Sequence, residues 1–144
     1  ILEISDSIVQ GWTGLMGGVG NSGADPQFLD SMGPDGIAAS GDEDYRLSPD
    51  SPAINAGTIT PNTTDTDLDG HPRVLCGAVD LGPYEFGIGD YNCDRRVDAL
   101  DFAGWSWCLA GPAADRGSGC EALDFNADGH VDLADFAGFQ LSRG

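Results

Sequence analysis

Oxygen-bearing side chains recur at alternate positions near the C-terminus. In "DFNADGHVDLAD", residues 124 to 135, a carboxylate or amide stands at positions 1, 3, 5, 9 and 12, and position 7 can offer its backbone carbonyl. These residues are Asp124, Asn126, Asp128, Asp132 and Asp135, with His130 as the carbonyl donor. Carboxylates about 4 Å apart repel each other by about 1 kcal/mol even in water, so a cation is expected among them. The spacing is that of a twelve-residue EF-hand loop with Gly129 at its sharp turn, and it predicts a Ca²⁺ site.

An upstream copy of this stretch predicts a second site. "GDYNCDRRVDALDFAGWSW", from Gly89, aligns with "LDFNADGHVDLADFAGFQL", from Leu123, at a period of 34 residues. The equivalent ligands are Asp90, Asn92, Asp94, Asp98 and Asp101, with Arg96 as the carbonyl donor. Arg95 stands where glycine is expected, and a non-glycine residue at positive φ costs about 1 kcal/mol. We therefore expect two Ca²⁺ sites, with the first loop (residues 90–101) binding more weakly than the second loop (residues 124–135).

A helix is predicted after each loop, because apolar residues recur there at helical spacing. The two stripes are Phe102, Trp105 and Leu109, then Leu133, Phe136, Ala137 and Leu141. Asp98 and Asp132 are placed to cap the helix N-termini. No helix is predicted before either loop, since "GPYEFGIG" and "ADRGSGCEA" are rich in residues that break helices.

Two further pairs of equivalent residues carry structural expectations. Val97 and Val131, at position 8 of the loops, are expected to join in a short β-bridge, as in paired EF-hand loops. Gly104 and Gly138 each cost a helix about 1 kcal/mol relative to alanine. Their equivalent positions predict a close approach of two backbones.

The arrangement of loop then helix, twice, resembles a type I dockerin over residues 89–144. The shared pattern is D-x-N-x-D-G-x-[IV]-D-x-x-D, with Asp rather than Glu last and no entering helix. The resemblance implies an extracellular module that folds around calcium and docks onto cohesin domains by helix faces beginning at loop positions 10 and 11. Those positions hold Ala99, Leu100, Leu133 and Ala134 instead of the common Ser/Thr pair. The partner therefore stays open between a cohesin-like domain, an intramolecular contact and another copy of the chain.

The four cysteines favour disulfides and an oxidising, extracellular location, since they lack the CxxC spacing of a zinc site. They are Cys76, Cys93, Cys108 and Cys120, and four cysteines allow three connectivities. Because only the Gly/Pro-rich "LAGPAADRGSG" separates Cys108 from Cys120, we favour that pair, which leaves Cys76 with Cys93. Buried free thiols are the alternative.

Residues 1–86 are predicted to form a domain separate from residues 87–144, because the composition changes at "GPYEFGIG". Residues 24–86 resemble the C-terminal end of secreted bacterial right-handed β-helix proteins, in "DPQFLD", "SPAINAG", "DLDGHPR" and "DLGPYEF". That resemblance implies stacked parallel coils ending in a loop-rich cap, with "ILEISDSIVQ" as one turn of the last coil. The predicted fold class is thus mixed: a parallel β-helix terminal coil and cap, then a small α dockerin-like domain of two EF-hand-type loop-helix units.

Charge and composition exclude several function classes. Against six basic residues stand 24 acidic ones, for a formal net charge of −18, which disfavours nucleic acid and anionic membranes as partners. No apolar run approaches the roughly 18 residues of a membrane span, and we expect export information upstream. We predict no enzyme here, because any catalytic site of a β-helix enzyme would lie upstream. A sugar ligand at Trp105 or Trp107 and N-glycosylation at Asn62 stay open.

Three functional hypotheses follow. The leading one is a secreted, non-catalytic, calcium-binding module that mediates attachment or assembly outside the cell or at its surface, including cell adhesion. The second is a subunit of an extracellular filament built by end-to-end packing of a β-helix coil that starts at Ile1. The third is the C-terminal tail of a larger β-helix polysaccharide-degrading enzyme.

Overall fold

The computed structural model describes residues 3–15, 17–60, 63–112 and 114–142, so Ile1 and Asn62 lie outside the described residues. The chain forms two compact units: Ile1–Thr64 with Gly77–Phe86, and Asp65–Cys76 with Gly87–Gly144. The domain boundary between residues 86 and 87 stays a prediction, since compactness alone does not show that either part folds by itself. No helix among the described residues is long and apolar enough to cross a membrane.

The first unit is built mainly from loops around a small apolar core. Its strands, β1 (Phe28–Asp30) and β2 (Asp44–Leu47), pair antiparallel with Phe28 opposite Leu47. The core consists of four buried residues, Leu47, Ala53, Ile54 and Leu81. Short strands and many turns suit a chain with 22 glycines and eight prolines, which lacks long runs of strand-forming residues.

A buried carboxylate fixes the chain around this core. Asp80 accepts hydrogen bonds from the backbone N–H of Asn55 at 2.7 Å and of Phe86 at 2.6 Å. The Glu85 carboxylate in turn accepts from the N–H of Asp80 at 3.0 Å. Buried backbone donors need such partners, so these acids serve the fold of the "SPAINAG" and "DLGPYEF" segments.

The predicted parallel β-helix coil is wrong. The two strands are antiparallel, and the described part of "ILEISDSIVQ" pairs within the same short stretch of chain: Asp6 N–H donates to the carbonyl of Val19, and Val9 N–H to that of Ser22, both at 2.9 Å. Gly17 and Gly20 adopt left-handed backbone, at φ of 71° and 70°, in the chain that connects the paired residues. Asx turns and Gly turns explain the motifs that resemble a β-helix cap, because the same turn chemistry serves many folds.

The second unit packs two helices and one 3-10 turn around an aromatic core. The elements are α1 (Phe102–Cys108), a 3-10 helix (Glu121–Leu123) and α2 (Leu133–Ser142). The buried core residues are Trp105, Cys108, Cys120, Leu123, Val131 and Phe139. The Trp105 ring lies 5.0 Å from that of Phe136 and 5.6 Å from that of Phe139, a spacing typical of favourable aromatic pairs. The prediction of a helix after each loop and none entering it is confirmed for α-helices, since "GPYEFGIG" and "ADRGSGCEA" form none; only the 3-10 helix directly precedes the second loop.

The predicted apolar stripes of the helices are only partly buried, with Trp105 and Phe136 packing in the core. Phe102, Leu109, Leu133 and Leu141 are exposed, whereas the buried helix residues include Trp105, Cys108 and Phe139. Of the predicted caps, Asp132 directly precedes α2 and accepts from the N–H of Ala134 at 2.7 Å. Asp98 makes the equivalent bond to Leu100, but α1 begins later, after Asp101, so this bond lies in the turn before the helix.

Two other expectations for this unit are also wrong. No β-bridge joins Val97 to Val131 in the described chain; the Val131 carbonyl instead accepts from the N–H groups of Ala110 and Gly111 at 3.1 and 3.3 Å. The helix glycines approach aromatic rings rather than a second backbone. A β-carbon on Gly104 would lie 2.5 Å from the Tyr91 ring, and one on Gly138 would lie 3.0 Å from Phe125. Each glycine thus makes room for the aromatic residue at position 2 of its own loop.

We predict that Gly104→Ala destabilises the chain by about 1–2 kcal/mol, because the clash with the Tyr91 ring outweighs the better helix propensity of alanine. Chemical denaturation followed by circular dichroism measures the change. Gly117→Ala is the matched control, since its β-carbon meets nothing closer than 3.9 Å. Equal stability of the two variants would contradict the packing argument.

Candidate metal centre

The first residue of each loop organises the turn that follows it. Asp90 accepts from the backbone N–H of Asp94 at 3.0 Å and of Arg95 at 2.7 Å. In the second loop, Asp124 accepts from the residues at the same positions, Asp128 at 3.1 Å and Gly129 at 3.0 Å. Position 1 therefore fixes the N–H groups of positions 5 and 6 in both loops.

The last residue of each loop closes it from the other side. Asp101 accepts from the N–H of Asn92 at 3.1 Å and of Asp98 at 2.8 Å. Asp135 does the same with Asn126 at 3.2 Å and Asp132 at 2.9 Å. Positions 3 and 9 are thereby held to position 12, and the two loops repeat one hydrogen-bond pattern at the 34-residue period of the sequence.

The intermediate ligand positions form Asx turns. Asn92 and Asp94 accept from the N–H groups two residues further on, at 2.9 and 3.0 Å, and Asn126 and Asp128 do so at 3.1 and 2.9 Å. The His130 N–H lowers the pKa of Asp128, because it stabilises the ionised carboxylate. The side chains at positions 3, 5 and 9 thus each bond to a backbone N–H two residues further on, and the carboxylates at positions 1 and 12 bond to N–H groups elsewhere in the loop.

The four carboxylates at positions 1 and 12 are buried. Asp101, Asp124 and Asp135 are 0% exposed and Asp90 is 2% exposed. Burial raises the pKa of Asp90, and the nearby charges of Asp101 and Asp94 raise it further, against the lowering effect of the two N–H donors. A cation in the first loop would relieve this repulsion.

Both loops use left-handed backbone at two positions. Arg95 and Gly129, at position 6, have φ of 69° and 86°, so the expected strain at Arg95 is confirmed. Cys93 and Ala127, at position 4, have φ of 62° and 56°, which the sequence analysis missed because neither residue type favours positive φ. Two residues of the first loop and one of the second therefore hold a strained backbone that their surroundings must maintain.

The favoured disulfide pairing is confirmed: Cys76 is bonded to Cys93, and Cys108 to Cys120. The first bond ties position 4 of the first loop to residues 65–76, a turn closed by the Thr66–Pro72 bridge. A β-carbon on Gly70 in that turn would lie 3.7 Å from the Ala127 side chain, at position 4 of the second loop. Residues 65–76 thus contact position 4 of both loops, although they precede the predicted dockerin-like segment.

A basic residue that sequence reasoning missed contacts the second loop. The Arg116 guanidinium forms an ion pair with the Asp124 carboxylate, and the backbone N–H of Arg116 donates to the carbonyl of Gly129 at 3.0 Å. No repeat or motif pointed to Arg116, because it lies in the linker between the copies. Only its proximity in the fold identifies it.

The donor chemistry of the loops fits Ca²⁺. All side-chain donors at the five positions are oxygens, which hard cations prefer, and an ionised carboxylate has about four lone-pair sites, of which the bonds to backbone N–H use two. The position 7 carbonyls of Arg96 and His130 accept no backbone hydrogen bond from any residue that the structure describes. In the same residues, no three His, Cys, Asp or Glu side chains converge as a bound metal ion requires. The loops therefore supply oxygen ligands that suit Ca²⁺, and in this structure those oxygens accept hydrogen bonds from backbone N–H groups.

Comparison with protein families assigns this region. Residues 88–138 match the family model described as dockerin type I domain, a stretch that contains both loops, α1 and part of α2. The match implies a calcium-binding, non-catalytic module that mediates protein–protein docking. Dockerin modules are components of extracellular or cell-surface proteins and bind cohesin partners. No curated protein and no solved structure matches the chain.

Replacing Cys76 and Cys93 by serine should lower the free energy of unfolding by about 3 kcal/mol, because it removes a disulfide between residues 17 positions apart in the sequence. Amide hydrogen exchange should accelerate at Asp94 and Arg95 more than at Asp128 and Gly129, because only the first loop loses its tie. The double replacement of Cys108 and Cys120 is the control and should not show that contrast. Unchanged protection of the first loop would contradict its dependence on residues 65–76.

Proposed function

We propose that residues 88–138 bind two Ca²⁺ ions and dock the chain onto a cohesin-like domain of an extracellular protein. The observation that carries the proposal is the hydrogen-bond pattern that the two loops share within a segment matching the dockerin type I family model. The chain's own role is then attachment, and the chemistry of the loops serves to hold the docking surface together.

The proposed ligands are those of the EF-hand schedule. The first loop offers Asp90, Asn92, Asp94, the Arg96 carbonyl, Asp98 and Asp101, and the second offers Asp124, Asn126, Asp128, the His130 carbonyl, Asp132 and Asp135. Bound Ca²⁺ would supply positive charge beside the buried carboxylates. The burial of two carboxylates in each loop supports this, because uncompensated buried charge is costly.

The proposed docking surface is the exposed start of the two loop-helix units. Ala99, Leu100, Leu133 and Ala134 are all exposed there, with Leu100 at 65% and Leu133 at 74%. A groove of about 590 Å³ lies beside the second pair, lined by residues 109–112 and 132–134. Exposed apolar side chains beside a groove are typical of a protein-binding site, whereas the Ser/Thr pair common in dockerins would favour a more polar partner surface.

An extracellular or cell-surface location is part of the proposal, supported by two disulfides, which persist in oxidising compartments. The filament and the enzyme-tail hypotheses both depended on a β-helix coil and lose that support with it.

Trp105 lies in the core and is unavailable to a sugar, whereas Trp107 is 85% exposed and leaves a sugar ligand untested.

Calcium should raise the melting temperature of the full chain relative to EDTA. A free calcium concentration of about 1,000 times the dissociation constant should raise the free energy of unfolding by about 4 kcal/mol per site. Asp135→Asn should lose roughly half of the calcium-dependent increase, because it removes charge and one acceptor oxygen from one of two sites. Asp35→Asn in the first unit makes the same charge change away from the loops and should keep the full increase. Equal melting temperatures of the unsubstituted chain in calcium and EDTA would refute the calcium sites.

Docking should depend on Leu100 and Leu133 but calcium binding should not. We expect the double substitution of both residues by Asp to weaken binding to a purified cohesin domain at least tenfold, measured by calorimetry, while the melting-temperature increase with calcium persists. Leu68→Asp is the matched control, since Leu68 is exposed in the same unit but outside the segment that matches the dockerin family model. Self-association of the unsubstituted chain without cohesin binding, seen by analytical ultracentrifugation, would assign the surface to another copy instead.

A further inference from the structure

Residues 114–116, in the linker between the two copies, contact the second loop at three points. The Arg116 guanidinium pairs with the Asp124 carboxylate at position 1. The Arg116 N–H donates to the Gly129 carbonyl at position 6, and the His130 ring nitrogen Nδ1 lies 2.9 Å from the Ala114 carbonyl. The backbone contacts fix the linker, so the position of the guanidinium does not depend on a single exposed side chain.

The ion pair is placed where calcium would bind. Asp124 is fully buried and the Arg116 side chain is 27% exposed, so the carboxylate meets a cation that reaches in from the surface. Oδ2 of Asp124 also accepts from the Gly129 N–H, and Oδ1 accepts from the Asp128 N–H. With Arg116 in place, Oδ2 has two partners and only Oδ1 keeps a free lone pair.

Among the described residues, no arginine pairs with position 1 of the first loop. Asp90 accepts only backbone N–H bonds among the described residues, and its carboxylate lies near the like charges of Asp101 and Asp94. The two loops share their backbone hydrogen bonds. The first loop contains Arg95 and Arg96, but among the described residues only the position 1 carboxylate of the second loop is paired with an arginine.

We propose that Arg116 is an internal counter-cation of the second loop, which Ca²⁺ must displace or bind beside. This inference rests on the proposed calcium binding. In the metal-free chain the guanidinium neutralises Asp124 and holds the loop closed. A calcium ion that binds this loop is either repelled by the guanidinium or must displace it from the carboxylate. Both effects lower the calcium affinity of the loop. The second loop is then the weaker site, which reverses the order expected from Arg95 and Gly129 alone.

The test is calcium titration of the full chain carrying Arg116→Gln, followed by NMR at the backbone amides of Gly129 and Arg95, one in each loop. We expect calcium affinity at Gly129 to rise at least tenfold and affinity at Arg95 to change less than threefold. The melting temperature in EDTA should fall at the same time. A purely structural residue would lower both the stability and the affinity, so the opposite signs identify a competing cation.

Two further variants keep the test decisive. Arg46→Gln removes the same charge from the first unit and should leave both affinities unchanged. Arg116→Lys keeps the charge, folds even if Arg116→Gln does not, and should keep the Gly129 affinity within threefold of the unsubstituted chain. Unchanged or lower affinity at Gly129 in Arg116→Gln overturns this inference alone. Absence of calcium binding in the unsubstituted chain overturns the proposed function and the inference together.

Discussion

The second unit depends on the burial of four like-charged carboxylates, one at each end of both loops. Asp90, Asp101, Asp124 and Asp135 are almost fully removed from water, a state that costs several kcal/mol per ion unless hydrogen bonds and charge compensate. Each accepts hydrogen bonds from two backbone N–H groups of its own loop. These bonds stabilise the turn conformation in which the N–H groups point at the carboxylate. The left-handed residues at positions 4 and 6 lie in the same turns, where the N–H groups of positions 5 and 6 donate to one carboxylate.

This constraint leaves the unit little apolar material with which to stabilise itself. The turns take up many residues, and six buried residues form the core. Stability must then come from ties between parts of the chain, and the two disulfides supply them: one links α1 to the 3-10 helix, and the other holds the first loop to residues 65–76. The aromatic residues at position 2 add contacts by packing onto the helices at Gly104 and Gly138.

Sequence patterns predicted the features of the structure that depend on interactions between residues close together in the chain. The repeat predicted two loop-helix units, and the short linker between Cys108 and Cys120 predicted the disulfides, whereas the ligand sets stay predictions. The β-helix prediction failed because motifs such as "SPAINAG" record turn chemistry, whereas a coil is defined by ladders between distant residues. The contact of Arg116 with Asp124 also escaped prediction, since nothing in the spacing of a linker residue indicates which buried charge it will meet.

The proposed metal ligands also set the orientation of the proposed docking surface. Asp101 is followed four residues later by Trp105, and Asp135 by Phe139, so carboxylate and aromatic ring lie on one face of each helix. Because the carboxylate must face its loop, the aromatic ring faces the core, and the helix phase is fixed. Leu133 and Leu141 then fall on the outer face, although the periodicity placed them in one stripe with Phe136, which packs against the core. The arrangement that closes the loops is thus the one that exposes an apolar surface to a partner.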